Sequence, residues 1–91
     1  MFYAVAYDLP DTGRRNKVFK LLKGYGIHTQ YSVFECELDD KEFAAMIRKL
    51  EKIIDRNEDD IKVYPLCKSC VEKIECRGKA VLNTEQDVIV I

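Results

Sequence analysis

The 91-residue chain is 47% hydrophobic and 34% charged, and its formal net charge is −1. This length allows one domain, and the balance of apolar and charged residues excludes an intrinsically disordered chain. The near-neutral charge also excludes a protein that coats nucleic acid through a uniformly basic surface.

Targeting and membrane-spanning segments are not expected from the sequence. No apolar run approaches the ~18 residues that a membrane-spanning helix needs. No basic segment precedes the apolar residues at the amino terminus, so the chain does not resemble a signal peptide. We therefore expect a cytoplasmic protein.

The first predicted elements are a strand and a helix. Residues 2–7 form an apolar run that indicates a buried strand, which Asp8 ends and Pro10 prevents from continuing. Asp11 or Thr12 can cap a helix that runs to about Tyr25. The helix is amphipathic, because its apolar residues recur at the spacing of one buried face.

The remaining elements are predicted from residue type and capping signals. Residues 28–38 are rich in β-branched and aromatic side chains and predict one strand. Asp39 and Glu42 have the spacing of a capping box, and a clear helical stripe follows them. Further strands are predicted over residues 61–64, 71–77 and 87–91, and Pro65 favours an edge position for the first of these.

The overall order that we predict is βαββαβ. This order is typical of an α+β, ferredoxin-like sandwich, in which an antiparallel sheet carries two helices on one face. The domain is expected to span residues 1–78, followed by a linker and a carboxyl-terminal strand over residues 79–91. Because residues 2–7 are apolar on both faces, we expect a two-fold homodimer. The apolar terminal strand would be an aggregation-prone free edge unless it pairs, so we expect it to be exchanged between the two copies.

The cationic residues are concentrated in one part of the chain. No acidic residue lies between Thr12 and Phe34. A localised basic face is typical of a protein that contacts a phosphate backbone, although a solvated helix face fits equally well. The five basic residues of this segment are Arg14, Arg15, Lys17, Lys20 and Lys23.

Asp8 is the candidate catalytic residue, because it ends the first strand just before this basic helix. Mg²⁺ usually binds one or two carboxylates together with water and substrate phosphates. The symmetry mate of Asp8 in a dimer could supply the second carboxylate, and the ion could then assist phosphodiester cleavage. The alternative is that Asp8 only starts the turn into the helix.

Aromatic and cysteine side chains suggest further sites. Tyr7, Tyr31 and Phe34 could stack on nucleic-acid bases, but packing within the protein is the alternative that we favour for Phe34. The spacing of Cys67 and Cys70 is that of a zinc knuckle, which Cys36 and Cys76 could complete. No second pair of cysteines has matching spacing, so reduced structural cysteines are favoured over zinc.

Four sequence features together resemble a known protein family. In their order and spacing, these features resemble the CRISPR-associated endoribonuclease family, whose members are the smaller of the two universal CRISPR adaptation proteins. The resemblance covers nearly the whole chain. The features are the strand ending in Tyr7-Asp8, the Arg-Arg-x-Lys segment at residues 14–17, the Gln-Tyr-Ser-Val-Phe-Glu block at 30–35 and Tyr-Pro-Leu-Cys at 64–67.

The resemblance implies a function in antiviral defence. It implies a ferredoxin-like homodimer that cleaves RNA or duplex DNA with Mg²⁺, for which Mn²⁺ can substitute, and Asp8 as the metal-binding residue. It places Tyr7, Arg15, Lys17 and Phe34 near that site. Some relatives carry an arginine where this chain has His28-Thr29, which leaves a substrate contact there open.

The resemblance also implies a partner. In the family, the dimer bridges pairs of the larger integrase subunit and holds the DNA fragment that becomes a new spacer. Two hypotheses therefore stand: a Mg²⁺-dependent endonuclease that works with the integrase, and a non-catalytic dimeric adaptor that binds DNA and scaffolds the integrase. The choice between RNA and double-stranded DNA as substrate stays open.

Overall fold

The computed structural model describes residues 1–78, and these form a single layer of sheet under two long helices. Within this range, no helix is long and apolar enough to cross a membrane. The elements are β1 (Phe2–Asp8), α1 (Thr12–Lys23), β2 (Ile27–Gln30), β3 (Val33–Glu37), α2 (Asp40–Ile53), β4 (Asp60–Leu66) and α3 (Lys68–Glu72).

The four strands form an antiparallel sheet in the order β2-β3-β1-β4. β1 lies inside the sheet and is the most buried strand, which explains why its sequence is apolar from Phe2 to Tyr7. Both the βαββαβ order and the α+β, ferredoxin-like fold are confirmed. The core between sheet and helices comprises Tyr3, Val5, Tyr7, Leu9, Val18, Leu22, Phe34, Cys36, Leu38, Met46 and Leu50.

The prediction of one strand over residues 28–38 is wrong, because this segment folds into the hairpin of β2 and β3. Residue composition predicts extended structure throughout the segment, but no glycine, proline or asparagine marks the turn. Tyr31 makes the turn instead, with φ 42° in the left-handed region that non-glycine residues rarely adopt.

The helix starts follow the predicted capping signals. The Asp11 side chain accepts a hydrogen bond of 2.8 Å from the backbone N–H of Arg14 and so caps α1. The capping box is confirmed at α2: Asp39 accepts from the N–H of Glu42, and Glu42 accepts from the N–H of Asp39. α1 ends at Lys23, before the predicted Tyr25, because Gly24 is its C-cap.

The sheet face turned away from α1 and α2, called the open face below, is partly covered by the chain itself. The predicted strand over 71–77 is wrong, since α3 begins at Lys68 and no strand follows it within residues 1–78. Val71 and Ile74 instead pack against Phe2 at one end of the open face. The predicted terminal strand over 87–91 lies outside the described residues.

The edge position predicted for the proline-containing strand is confirmed. β4 pairs only with β1 in the described sheet, and it is longer than predicted because it includes Pro65. An edge strand tolerates proline because the missing N–H can face away from the neighbouring strand.

Candidate active site at the carboxyl end of the first strand

Asp8 is exposed at the last position of β1, and it lies on the open face because the preceding Tyr7 points into the core. Its register partner in β4 is Asp60, which is also exposed. Side chains directly opposite each other in an antiparallel pair have Cβ atoms about 4.5–5.5 Å apart. Two carboxylates therefore lie side by side at this corner of the sheet.

An open cleft of about 280 Å³ surrounds the two carboxylates. Lys62 lies opposite Ala6 and brings an ammonium group to the same cleft. The cleft therefore exposes two carboxylates, those of Asp8 and Asp60, and the ammonium group of Lys62 to solvent. Its lining residues are Ala6, Tyr7, Asp8, Asp60, Lys62 and Tyr64.

Arg15 is held beside the loop that follows Asp8. Its guanidinium donates hydrogen bonds to the Leu9 carbonyl at 3.1 Å and to the Thr12 hydroxyl at 3.2 Å. The first hydrogen bond joins α1 to the β1–α1 connection and the second lies in the first turn of α1, so together they hold the cation near the carboxyl end of β1. Lys17 is exposed on the following turn of the same helix.

Tyr7 links this corner to the β2–β3 hairpin. Its backbone N–H donates to the Ser32 carbonyl at 3.0 Å, and only 7% of the residue is exposed. Burial raises the pKa of the Tyr7 phenol, although the charge of Arg15 and a hydrogen bond with Ser32 oppose the rise. The phenol is therefore protonated at neutral pH and cannot act there as a general base.

Arg14 lies next to Arg15 in sequence but has a different environment. Its guanidinium contacts both carboxylate oxygens of Asp59, at 2.7 and 3.1 Å, and one oxygen of Glu58 at 3.0 Å. These acids hold the pKa of Arg14 above its usual value and that of Asp59 below its usual value. This geometry gives Arg14 a structural role between α1 and the loop before β4 and does not support the predicted nucleic-acid contact.

The predicted base-stacking aromatics differ in accessibility. Phe34 is 0% exposed on the helix side of the sheet, between Tyr7, Phe19 and His28, so its ring has no surface to offer to a base. Tyr31 is 92% exposed at the hairpin turn. The structure therefore agrees with packing as the role of Phe34.

The four cysteines do not come together. Cys36 is buried under the helices, whereas Cys76 packs with Phe2 on the open face. Cys67 and Cys70 are exposed at the start of α3. Among residues 1–78, no three His, Cys, Asp or Glu side chains are grouped closely enough to hold a metal ion.

Asp60 is the site residue that sequence reasoning missed. It appears in the sequence as one of several acids in the polar loop that precedes a strand. Only the register of β4 against β1 brings it opposite Asp8. The pairing of two strands that are distant in sequence leaves no spacing pattern in a single sequence, so the sequence carries no signal that would place Asp60 beside Asp8.

Comparisons with known proteins agree with this fold. A family model described as CRISPR associated protein Cas2 matches residues 1–74. The CRISPR-associated endoribonuclease Cas2 3 of Synechocystis sp. is 37% identical over 89 residues, which cover 98% of this chain and 97% of the relative. The CRISPR-associated endonuclease Cas2 2 of Thermus thermophilus is 45% identical over 64 residues, which cover 70% of this chain and 71% of that protein.

A solved structure is also similar. The crystal structure of Streptococcus pyogenes Cas2 at pH 6.5 superimposes with a TM-score of 0.74 at 36% identity, covering 86% of this chain and 100% of that one. The family resemblance noted in the sequence is confirmed by these matches. The chain belongs to the CRISPR-associated Cas2 family.

Proposed function

We propose that the protein is a metal-dependent endonuclease that cleaves phosphodiester bonds of RNA or double-stranded DNA in CRISPR adaptation, a branch of antiviral defence. The observation that carries this proposal is the exposed Asp8 carboxylate at the end of β1, beside Asp60 and within reach of solvent. The names of the two relatives above, one an endoribonuclease and one an endonuclease, support a phosphodiester hydrolase.

The residues at this corner fit a hard divalent cation. Carboxylate oxygens are the ligands that Mg²⁺ and Mn²⁺ prefer, and Mg²⁺ usually takes one or two carboxylates with water filling the other positions. Asp8 and Asp60 would hold the ion, with Asp8 of a second protomer as a further donor. The bound ion would polarise a phosphoryl oxygen and lower the pKa of an attacking water.

The surrounding side chains would bind and orient the nucleic-acid backbone. Arg15 presents a cation anchored to the loop after Asp8, and Lys17 adds a second positive charge on α1. Interactions of this kind fix the position of a phosphate and carry no sequence information. Tyr7, which is largely buried, would hold the β1 end against the hairpin and thereby set the position of Asp8.

The open face supports the proposed homodimer. Ile27 is 53% exposed and Tyr64 is 50% exposed on this face, and the register places Glu35 and Ala4 between them. A second copy that covers these exposed apolar side chains would remove them from water and stabilise the pair. We extend the proposal to a cytoplasmic dimer that exchanges its carboxyl-terminal strand and docks the larger integrase subunit.

A cleavage assay tests the proposed activity. End-labelled single-stranded RNA and duplex DNA are incubated with the full-length protein in Mg²⁺, in chelator, and in chelator followed by excess Mg²⁺. We expect cutting of at least one polymer that stops with chelator and returns with Mg²⁺. Asp8→Asn should lose this cutting. Asp40→Asn is its matched control, because Asp40 is an exposed aspartate at the start of α2, which follows β3 at the opposite end of the sheet.

The adaptor hypothesis makes the opposite prediction in the same assay. A non-catalytic adaptor would bind duplex DNA without cutting either polymer, whether Mg²⁺ is present or not. Absence of cutting by a protein that still binds DNA would therefore reject the nuclease and retain the adaptor.

A further inference from the structure

A pair of exposed thiols lies at the other end of the sheet from Asp8. Cys67 immediately precedes α3 and Cys70 lies in its first turn, and their sulfur atoms are 3.5 Å apart. The Cys67 sulfur also lies 3.2 Å from the Ser69 hydroxyl. Neither thiol has a role in the proposed nuclease.

The two thiols contrast with the other cysteines of the chain. Cys36 is 0% exposed and Cys76 is 6% exposed, whereas Cys67 and Cys70 both reach solvent. Burial raises the pKa of the Cys36 thiol to about 11, which keeps that thiol protonated and unreactive. Reactivity toward a dissolved reagent is therefore confined to the Cys67–Cys70 pair.

We propose that Cys67 and Cys70 form a redox-active dithiol that closes reversibly to an intramolecular disulfide by exchange with a low-molecular-weight disulfide. An S–S bond is about 2.05 Å long, so the two sulfur atoms need to approach by only about 1.5 Å. Two cysteines separated by two residues at the start of a helix are the usual sequence context of such a dithiol.

The exchange proceeds in two balanced steps. The Cys67 thiolate attacks one sulfur of the small disulfide, and a mixed disulfide forms as the other half leaves as a thiolate. The Cys70 thiolate then attacks the Cys67 sulfur and expels the remaining half. The protein loses two protons and two electrons in total, and the small disulfide becomes two thiols.

The electrostatic environment supports Cys67 as the attacking thiol. Hydrogen bonds with the Ser69 hydroxyl and with Cys70 lower the pKa of Cys67 to about 7, whereas proximity to Cys67 raises the pKa of Cys70. A thiol whose pKa is near the ambient pH is the best nucleophile for disulfide exchange, because it combines thiolate population with intrinsic reactivity.

The pair is independent of the proposed nuclease site. Leu66, the residue before Cys67, lies opposite Phe2, while Asp60 lies opposite Asp8, so β1 separates the two sites by about 20 Å at 3.3 Å per residue. The disulfide would restrain the first turn of α3, the element whose Val71 covers Phe2 on the open face.

Peptide mapping under defined redox buffers tests this proposal. The reduced full-length protein is equilibrated with glutathione and glutathione disulfide at stepped ratios, quenched in acid, alkylated and digested with trypsin. Cleavage after Lys68 places Cys67 and Cys70 on separate peptides. We expect these peptides to become linked as the proportion of glutathione disulfide rises and to separate again with dithiothreitol, while Cys36 stays reduced and provides an internal reference.

Two variants separate the steps. Cys70→Ser removes the resolving thiol and should trap glutathione on Cys67, whereas Cys67→Ser should give no linked peptide. The proposal is overturned if both thiols of the wild type remain alkylated at every ratio. It is equally overturned if the linkage joins two chains, which a non-reducing gel detects, or if Cys70→Ser acquires no glutathione.

Discussion

Asp8 and Asp60 face each other as the last register pair of β1 and β4, so two exposed carboxylates occupy neighbouring positions on the open face. Like charges directly opposite each other in a sheet are destabilising by roughly 0.2–1 kcal/mol. A bound cation would remove this repulsion. The pair therefore combines a small stability cost with the oxygen ligands that a divalent ion needs.

Replacing Asp60 should raise the stability of the metal-free protein and increase the Mg²⁺ concentration that its cleavage activity requires. In metal-free buffer, Asp60→Asn should raise the Tm by about 1–4 °C, because the repulsion with Asp8 is removed. The Mg²⁺ concentration that gives half-maximal cleavage should be higher in the same variant by a factor of about ten or more. Calorimetry and a Mg²⁺ titration of the cleavage rate measure the two effects, with Asp40→Asn as the control for the titration. A variant that melts earlier and needs no additional Mg²⁺ would rule out the paired-carboxylate site.

The ion pair between Arg14 and Asp59 predicts a specific pH dependence of stability. Because Arg14 lowers the pKa of Asp59 in the folded protein, the contribution of this pair is fully present above the ordinary aspartate pKa of about 4. It is lost as the pH falls below that value toward the lowered pKa. Asp59→Asn should therefore be less stable than wild type at neutral pH, and the difference should shrink in acid. Urea unfolding at stepped pH measures this, and Glu58→Gln, at a 60% exposed side chain, is the milder control.

The two neighbouring arginines should respond differently to substitution. Arg15→Ala and Lys17→Ala should weaken duplex binding and reduce the slope of log K against log salt by about 0.9 for each phosphate that the protein no longer neutralises. Arg14→Ala should instead lower the Tm, because the buried Asp59 carboxylate loses its ion pair and retains the hydrogen bond from the backbone N–H of Asp55. Fluorescence anisotropy at several salt concentrations measures the slopes, with Lys41→Ala on α2 as control. An unchanged slope in Arg15→Ala would exclude Arg15 from the groups that bind the backbone.

Gly26 is required where the chain passes from α1 into β2. A Cβ atom at this position would meet the Glu35 carbonyl oxygen and the Cys36 sulfur of β3 at less than a contact distance. Gly26→Ala should destabilise the fold by about 1–3 kcal/mol, the usual range for overpacking. Gly13→Ala is the comparison, because its Cβ would approach only the Asp11 side chain, at 3.2 Å. Equal unfolding midpoints for the two variants in urea would contradict the close approach.

The alkylation rate of Cys67 should follow its lowered pKa. The rate with iodoacetamide should reach half its maximum near pH 7, because the pKa of Cys67 is lowered to about 7. Ser69→Ala should move this midpoint to higher pH, since the hydrogen bond with Ser69 is the largest cause of the lowering. Ser32→Ala, distant from the thiol, should leave the midpoint unchanged. If the wild type, Ser69→Ala and Ser32→Ala all had the same pH midpoint of alkylation, Ser69 would not be the cause of the lowered pKa of Cys67.

The sequence predicted those features that local chemistry determines. The capping box of Asp39 and Glu42 located the start of α2, and the uninterrupted apolar run located β1. The β2–β3 turn was missed because Tyr31 adopts its left-handed conformation without the residue types that usually mark one. α3 was missed because a five-residue helix is too short to show a helical period.

The candidate site was predictable only in part. Asp8 is marked by its own surroundings, since it ends an apolar run and precedes a basic segment. Asp60 depends on strand register, and the separation of Arg14 from Arg15 depends on where Asp59 and Glu58 lie in three dimensions. The sequence therefore predicts a nucleic-acid contact for both Arg14 and Arg15, although the two side chains have different environments in the structure.

The most direct test of the nuclease site measures binding and cleavage by Asp8→Asn on the same labelled substrate. Because Asp8 is exposed, the variant should fold and should bind nucleic acid with an affinity close to that of the wild type. Metal-dependent cleavage should fall by a factor of about 10² or more, since one of the two metal-binding carboxylates of each chain is removed. Cleavage by Asp8→Asn at the wild-type rate, with the same Mg²⁺ dependence, would contradict the account.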